Sequence, residues 1–316
     1  MGVISKGQSL RRGMRRVYRN HGIAESLGWA AFQWYDQCRR LTGVDLYDYV
    51  STNVYEEDWD LLVILDACRV DLLAGIASDY EFIGDIDSVY SVAEDSVGWL
   101  DSTFVSEYEG DIRDTMYVTG NPHTEIVFPE KAAENTPEVD NVWRYAFDDE
   151  RGLMPARPIT DRTITACREK SYDRVIAHYM QPHFPAVGNL ELGSEIHLDE
   201  IGNIWDSIWD DIKTGEIDPE IVWEAYQENL EYVLEDVQLL LSNINAERVL
   251  ITADHANAFG EFGYWGHRRH PIPSLRRVPV CVTAGTDEGT YTPRTTPDTE
   301  QTTSSVDDQL EALGYR

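Results

Sequence analysis

The chain has 316 residues and a formal net charge of −31 at pH 7, from 26 Lys and Arg against 57 Asp and Glu. That balance excludes nucleic acid as the main partner, because phosphates are repelled outside a local basic region. A hydrophobic content of 42% with nine Trp excludes a disordered acidic tail. Only four basic residues are Lys (Lys6, Lys131, Lys170 and Lys213). An acidic, Lys-poor surface over an ordinary core is a haloarchaeal-type composition, suited to concentrated salt where screening removes self-repulsion.

Residues 1–53 read as a helical arm and residues 54–316 as a catalytic domain. Arg11, Arg12, Arg15, Arg16 and Arg19 put basic charge on one helical segment, and a second, residues 24–40, carries Trp29, Phe32, Trp34 and Tyr35. This pattern suits peripheral contact with an anionic membrane or a partner through residues 1–40. It suits equally a helix pair packed on the acidic body, its arginines answered by carboxylates. Cys38, Cys68, Cys167 and Cys281 are scattered and match neither a disulfide framework nor a zinc knuckle. The basic start lacks the apolar stretch of a secretory signal, and no run reaches membrane-spanning length, so a cytoplasmic location, peripheral to a membrane if the arm binds one, is expected.

Five apolar residues, Leu61-Leu62-Val63-Ile64-Leu65, stop at Asp66. Such a run reads as a strand buried on both faces, as in a parallel sheet under helices. Residues 69–77 follow as a helix, residues 80–92 include a short strand, and residues 91–100 read as a turn opening into a helix capped by Asp95 or Ser96. Residues 115–119 form a strand ending in the turn Gly120-Asn121-Pro122, and residues 123–170 read as an insertion. Another buried strand, residues 173–180, precedes Gln181-Pro182-His183-Phe184-Pro185. Residues 191–218 are acidic and loop-like, and residues 222–241 show helical apolar spacing. A second run with the first one's grammar, residues 249–253, ends in Asp254-His255. A Gly-rich loop then leads to His267 and His270, residues 278–283 form a last strand, residues 284–304 a linker and residues 306–313 a closing helix. Strands alternating with helices predict an α/β fold: a doubly wound, mostly parallel sheet sandwiched by helices, with the N-terminal helical arm attached.

Ligands of open α/β sheets gather at the carboxyl ends of the strands. Asp66 and Asp254 are placed there, as are five of the eight histidines: His178, His183, His255, His267 and His270. Oxygen and imidazole donors of this kind suit zinc or manganese, and an open catalytic site rather than a structural one.

Asp66 at a strand end, a hydroxyl at a helix start some thirty residues on, and Thr252-Ala253-Asp254-His255 followed by Gly260-Glu261 and Gly266-His267 resemble the alkaline phosphatase superfamily. The closer resemblance is to its sulfatase-like and nucleotide pyrophosphatase/phosphodiesterase branches, and Leu310-Glu-Ala-Leu-Gly-Tyr315 resembles a common sulfatase-like ending. The resemblance runs from about Trp59 to the end, loosely between 123 and 170. It implies an alkaline phosphatase-like fold and one or two divalent ions. Asp66, Asp254 and His255 would hold one ion, with Ser96 the nucleophile bridging to it; Ser91, Ser102 and Thr103 compete for that role, and Ser96 as a mere cap is the alternative. Asn121 would donate to a phosphoryl oxygen, or serve only as a turn residue. His178, His183 and either His267 or His270 would bind a second metal or contact substrate, His183 among the candidates to protonate the leaving group. Arg69 and Asp71 would tie the first loop together.

Type I sulfatases need an Arg four positions after a modified Cys or Ser, and here Cys68 is followed by Leu72 and Ser96 by Leu100. His255 also stands where those sulfatases usually carry Asn. Both departures favour phosphoryl transfer. The expected function is metal-dependent hydrolysis of phosphate mono- or diesters, the substrate a small molecule or a glycan- or lipid-linked ester. The alternatives are a sulfatase or phospho-group transferase of the same superfamily, and a catalytically silent binding module. The oligomeric state is left open.

Overall fold

The structure is a computed structural model that describes residues 27–169, 171–188, 192, 204–267 and 272–297. Its strands are Leu61–Leu65 (β1), Ile86–Tyr90 (β2), Thr115–Thr119 (β3), Glu138–Asn141 (β4), Arg174–Tyr179 (β5), Ala246–Thr252 (β6), Ala258–Phe259 (β7), Trp265–Gly266 (β8) and Arg277–Gly285 (β9). The helices are residues 27–42 (α1), Val70–Ile76 (α2), Ser96–Thr103 (α3), Glu109–Arg113 (α4), Thr124–Val127 (α5), Trp143–Ala146 (α6), Ala156–Glu169 (α7), Ile204–Thr214 (α8), Pro219–Leu241 (α9) and Pro273–Arg276 (α10).

Seven strands form one sheet in the order β2-β9-β6-β1-β5-β3-β4. All pairings are parallel except those of β9, which runs antiparallel to β2 and β6. β1 sits at the centre, and all five of its side chains are buried. They divide by alternation: Leu61, Val63 and Leu65 join the larger core with Tyr226, Leu230 and Val233 of α9, and Leu62 and Ile64 join a second core with Trp99 of α3, Phe104 and Tyr117. Each such side chain stabilises the fold by roughly 1.5–3 kcal/mol relative to exposure, which is why β1 accepts no polar residue before its end. α9 starts cleanly, with Asp218 accepting from the Glu220 amide at 3.0 Å and Pro219 in the first turn.

Two segments differ from their sequence reading. Residues 123–170, read as an insertion, contain α7 and the edge strand β4. β4 is half exposed, with the pattern of Glu138–Asn141, so it has no apolar run to betray it. Residues 204–214, read as loop, form α8, whose Ile208, Trp209 and Ile212 are buried among its acids. The basic residues Arg11 to Arg19, His270 and the proposed closing helix lie outside the described residues. The second half of the arm is described. α1 lies against the body, the Phe32 ring packing tilted against Phe262 with centroids 5.0 Å apart. A Cβ on Gly28 would come within 2.1 Å of the Phe262 ring, so this close approach requires glycine.

Candidate metal centre

Four neighbouring strands end at one place. Asp66 follows β1, Asn121 follows β3, His178 lies in β5 with His183 in the loop after it, and Asp254 and His255 follow β6. Parallel strands in register bring these ends together, Ile64 lying beside both His178 and Thr252. Asp66, Asp254 and His255 each offer a donor atom, and these atoms lie within 4.8 Å of one another, all buried. His255 Nε2 is 3.6 Å from an oxygen of each carboxylate.

Ser96 completes the group. Asp95 caps α3 by accepting from the Gly98 amide at 2.7 Å, so the Ser96 hydroxyl is not consumed as a cap. Its Oγ lies 2.6 Å from Asp254 Oδ2, 3.3 Å from Asp66 Oδ2 and 3.4 Å from His255 Nε2. The competing hydroxyls are placed otherwise. Ser91 donates to the backbone carbonyl of Asp254, Ser102 is exposed, and Thr103 is buried in α3 with no hydrogen-bond partner for its hydroxyl.

The donor set fits a cation. A tetrahedron with arms of about 2.0–2.1 Å, the length of zinc–nitrogen and zinc–oxygen bonds, has edges of about 3.3–3.4 Å, close to most of the separations just given. Asp66 Oδ1 is buried with no hydrogen-bond partner, and two fully buried carboxylates this close repel unless a positive charge is shared between them. Burial pushes the Asp66 carboxyl up, but His178, His183 and His255 outweigh this and hold it below the usual carboxylate range. Burial likewise depresses the His255 imidazole, yet Asp254 and Asp66 prevail and raise it.

Hydrogen bonds fix the backbone and the rings. The Ala67 and His255 amides donate to Asp254 Oδ1 at 3.1 and 2.9 Å. Ala67 itself has φ +62°, a left-handed conformation that costs a non-glycine residue about 1–3 kcal/mol, and Tyr226 donates to its carbonyl. The Nδ1 atoms of His183, His255 and His267 each face an oxygen, at 2.6 Å (Phe184 O), 3.2 Å (Ala256 O) and 2.9 Å (Asn257 Oδ1). Carbonyl oxygens only accept, so Nδ1 carries the proton and Nε2 keeps its lone pair. The His267 ring lies 4.9 Å from that of His183 and 4.8 Å from that of His255, centroid to centroid. Burial drives His183 and His267 below the ordinary imidazole range, which suits neutral ligands. His267 follows Gly266, whose φ is +72° and where a Cβ would lie 2.8 Å from the Trp209 ring.

His178 is set apart from this trio. Its Nδ1 meets the Tyr117 hydroxyl at 2.6 Å, and its Nε2 lies 3.5 Å from Asp66 and 3.9 Å from Asp254. Asn121 is held in the turn expected of it, Oδ1 accepting from the His123 amide at 3.0 Å, and its Nδ2 donates to Asp66 Oδ2 at 3.1 Å. Arg69 grips Asp71 through two bonds of 2.8 and 2.6 Å and reaches the Asn257 carbonyl and Glu261 at 2.7 and 2.8 Å. It thus joins the loop after β1 to the loop after β6.

Sequence reasoning missed His123, which is buried near Asp66, His183 and His255 and is pushed down to about 3 chiefly by burial. A signal existed. The adjacent strands β3 and β5 end alike, in Asn121-Pro122-His123 and Gln181-Pro182-His183. It also missed Tyr117 and Asn257, which orient His178 and His267.

No protein-family model and no curated protein sequence matches the chain. Among solved structures it is similar to the soluble domain of lipooligosaccharide phosphoethanolamine transferase A from Neisseria meningitidis, with 13% identity and a TM-score of 0.48 over 72% of this chain and 76% of that one. It is similar also to a 2-O GAG sulfatase, with 11% identity and a TM-score of 0.45 over 71% and 63%. A third is the C-terminal periplasmic domain of EptC from Escherichia coli in complex with Zn, with 11% identity and a TM-score of 0.42 over 72% of each chain. At these identities the chemistry rests on the donor geometry above. These likenesses concern the fold alone.

Proposed function

We propose that the chain is a metal-dependent hydrolase of phosphate mono- or diesters with Ser96 as its nucleophile. The observation that carries this reading is the position of Ser96 Oγ, within 3.4 Å of Asp66, Asp254 and His255. Asp66, Asp254 and His255 would hold a divalent ion of the zinc or manganese kind, and a bound ion would lower the hydroxyl pKa and offset charge on the ester oxygens. Ser96 Oγ gives up its proton to water and attacks phosphorus, and the ester oxygen departs with the bonding pair, leaving phospho-serine. Asn121 Nδ2 is the nearby amide donor for a phosphoryl oxygen. In the second half, water attacks phosphorus and gives its proton to a lone pair at Nε2 of His183 or His267. Ser96 Oγ then leaves and takes up a proton from water. The absent sulfatase Arg at positions 72 and 100 favours phosphate over sulfate as the group transferred.

The test is elemental analysis of the purified chain combined with turnover of p-nitrophenyl phosphate, bis-p-nitrophenyl phosphate and p-nitrophenyl sulfate in high salt. Phosphate ester cleavage is expected, and Ser96→Ala should lower it by at least about 10³-fold, as loss of a nucleophile does. Cleavage of the sulfate ester alone would overturn the reading.

A further inference from the structure

Apolar surface is unevenly distributed. Of the large apolar side chains exposed among the described residues, seven lie between residues 27 and 50 and three elsewhere. Leu27, Trp34, Leu41, Leu46, Tyr49 and Val50 are 55–78% exposed. In α1 they fall on the face opposite the one that packs on Phe262. Charge is uneven in the same sense. Residues 1–26 hold six Lys or Arg against one Asp or Glu, residues 27–50 hold two against three, and the rest of the chain holds 18 against 53. Asp36 and Asp45 are drawn into pairs with Arg39 at 3.1 and 2.9 Å, and Asp36 also pairs with Arg40. Asp48 is then the one exposed carboxylate on this stretch among the described residues.

We infer that the outer face of residues 27–50 is a contact surface for an anionic lipid bilayer. An apolar face with Trp and Tyr, continuous in sequence with a segment containing five arginines, matches a negative headgroup layer over hydrocarbon. The acidic body matches nothing of the kind and is held away by its own charge. A second copy of the chain fits less well. Leu27, Trp34 and Leu41 are spaced for a helix partner, but the apolar surface continues past the end of α1 through the turn Leu46–Tyr49 to Val50, where a helix partner would leave it bare.

The surface lies close to the candidate metal centre. Through its inner face α1 touches Phe262 and Gln33 donates to the Tyr264 hydroxyl at 2.5 Å, in the loop that leads to His267. Arg39 lies 3.5 Å from Glu94, two residues before Ser96. Phe262 also lines a cavity of about 430 Å³ together with Arg69 and Glu261. A bilayer on the outer face of α1 is therefore separated from the loops that carry the site by one helix diameter, about 10–12 Å. Resting on the reading of the site as a phosphate ester hydrolase, this makes the substrate a lipid-anchored phosphate ester.

The experiment is co-sedimentation of the full chain with vesicles of phosphatidylcholine, with and without a quarter of phosphatidylglycerol. It is paired with turnover of p-nitrophenyl phosphate and of phosphatidic acid embedded in the vesicles. The wild-type chain should bind the anionic vesicles, less so as salt is raised. The double variant Trp34→Ser/Leu41→Ser, at two strongly exposed positions, should bind at least about tenfold more weakly. It should keep its rate on p-nitrophenyl phosphate and lose the lipid substrate by the same factor. Absence of vesicle binding, or equal binding by the variant, overturns the surface, as does a dimer that the variant dissociates without any vesicle binding. Vesicle binding by a wild-type chain that cleaves no ester keeps the surface and removes the substrate class together with the hydrolase reading.

Discussion

Replacing Asp254 with Asn separates the two tasks of the buried carboxylates. Without a cation, the donor oxygens of Asp66 and Asp254, within 4.8 Å of each other, repel by about 3 kcal/mol or more at an effective dielectric of about 20. Asn keeps the Oδ1 that accepts from the Ala67 and His255 amides. It relieves the repulsion and loses the acceptor of the 2.6 Å bond from Ser96, a charge-assisted bond worth about 1.5–3 kcal/mol. The two changes nearly cancel. For 316 residues the unfolding entropy is about 0.7 kcal/mol/K, so 1 kcal/mol moves Tm by about 1.5 °C. Metal-stripped Asp254→Asn should therefore melt within about 2 °C of the stripped wild type. Zinc at about a hundredfold above Kd should add about 2.7 kcal/mol to the wild type, a rise of about 4 °C, and almost nothing to the variant. Scanning calorimetry of the chelator-dialysed proteins in high salt, with and without zinc or manganese, reads both quantities. An equal metal-induced rise in the two proteins would refute the placement of a cation between these acids.

Three further outcomes are expected. Tyr117→Phe leaves buried His178 Nδ1 without its 2.6 Å partner, a loss of about 1–3 kcal/mol, and should lower Tm by about 2–4 °C; an unchanged Tm would mean the pair contributes nothing. On acidification, His123, His183 and His267, whose folded values lie below that of the unfolded chain, bind fewer protons folded than unfolded. Their stabilisation is thus lost as pH falls below about 6.5. Asp66, held low, adds to the loss only in the carboxylate range and below, and His255, raised, acts in the opposite sense by stabilising below its raised value. Urea midpoints of the metal-stripped chain should fall from pH 7.5 to 4.5, less steeply in His123→Gln, and a midpoint rising towards acid would contradict the assignment. The net charge of −31 predicts a Tm that climbs as potassium chloride is raised from about 0.1 to 1 M, since the screening length shrinks from about 10 to 3 Å; a flat or falling Tm would remove the salt-adapted reading.

The legible parts of the chain were those where burial is total. β1 is buried on both faces, so its sequence is all apolar and its end is marked by the first acid, Asp66. The buried second half of β6, Val249–Thr252, leads in the same way to Asp254 two residues beyond its end. The edge strand β4 faces water on one side and so resembles a loop in sequence, and α8 hides three apolar anchors among acids that serve the surface. At the site, residue type and strand-end position nominated Asp66, Asp254 and His255, and the family resemblance nominated Ser96 at a helix start. Sequence could not choose between cap and nucleophile for Ser96. That choice depends on Asp95 occupying the capping position instead, a matter of backbone angles. Nor could it set His178 apart from His183, because their difference is made by Tyr117 on the neighbouring strand.

The cage is assembled from distant stretches of chain. The Ala67 amide and the carboxylate that it holds are 187 residues apart, and β1 finds its partners only in β5 and β6, much later in synthesis. Such long-range pairing is slow to nucleate. A nascent chain halted before β6 has no pair of acids to capture an ion. Under the proposed reading, uptake of metal would report finished topology, and a cell supplying the ion late would equip only correctly folded copies.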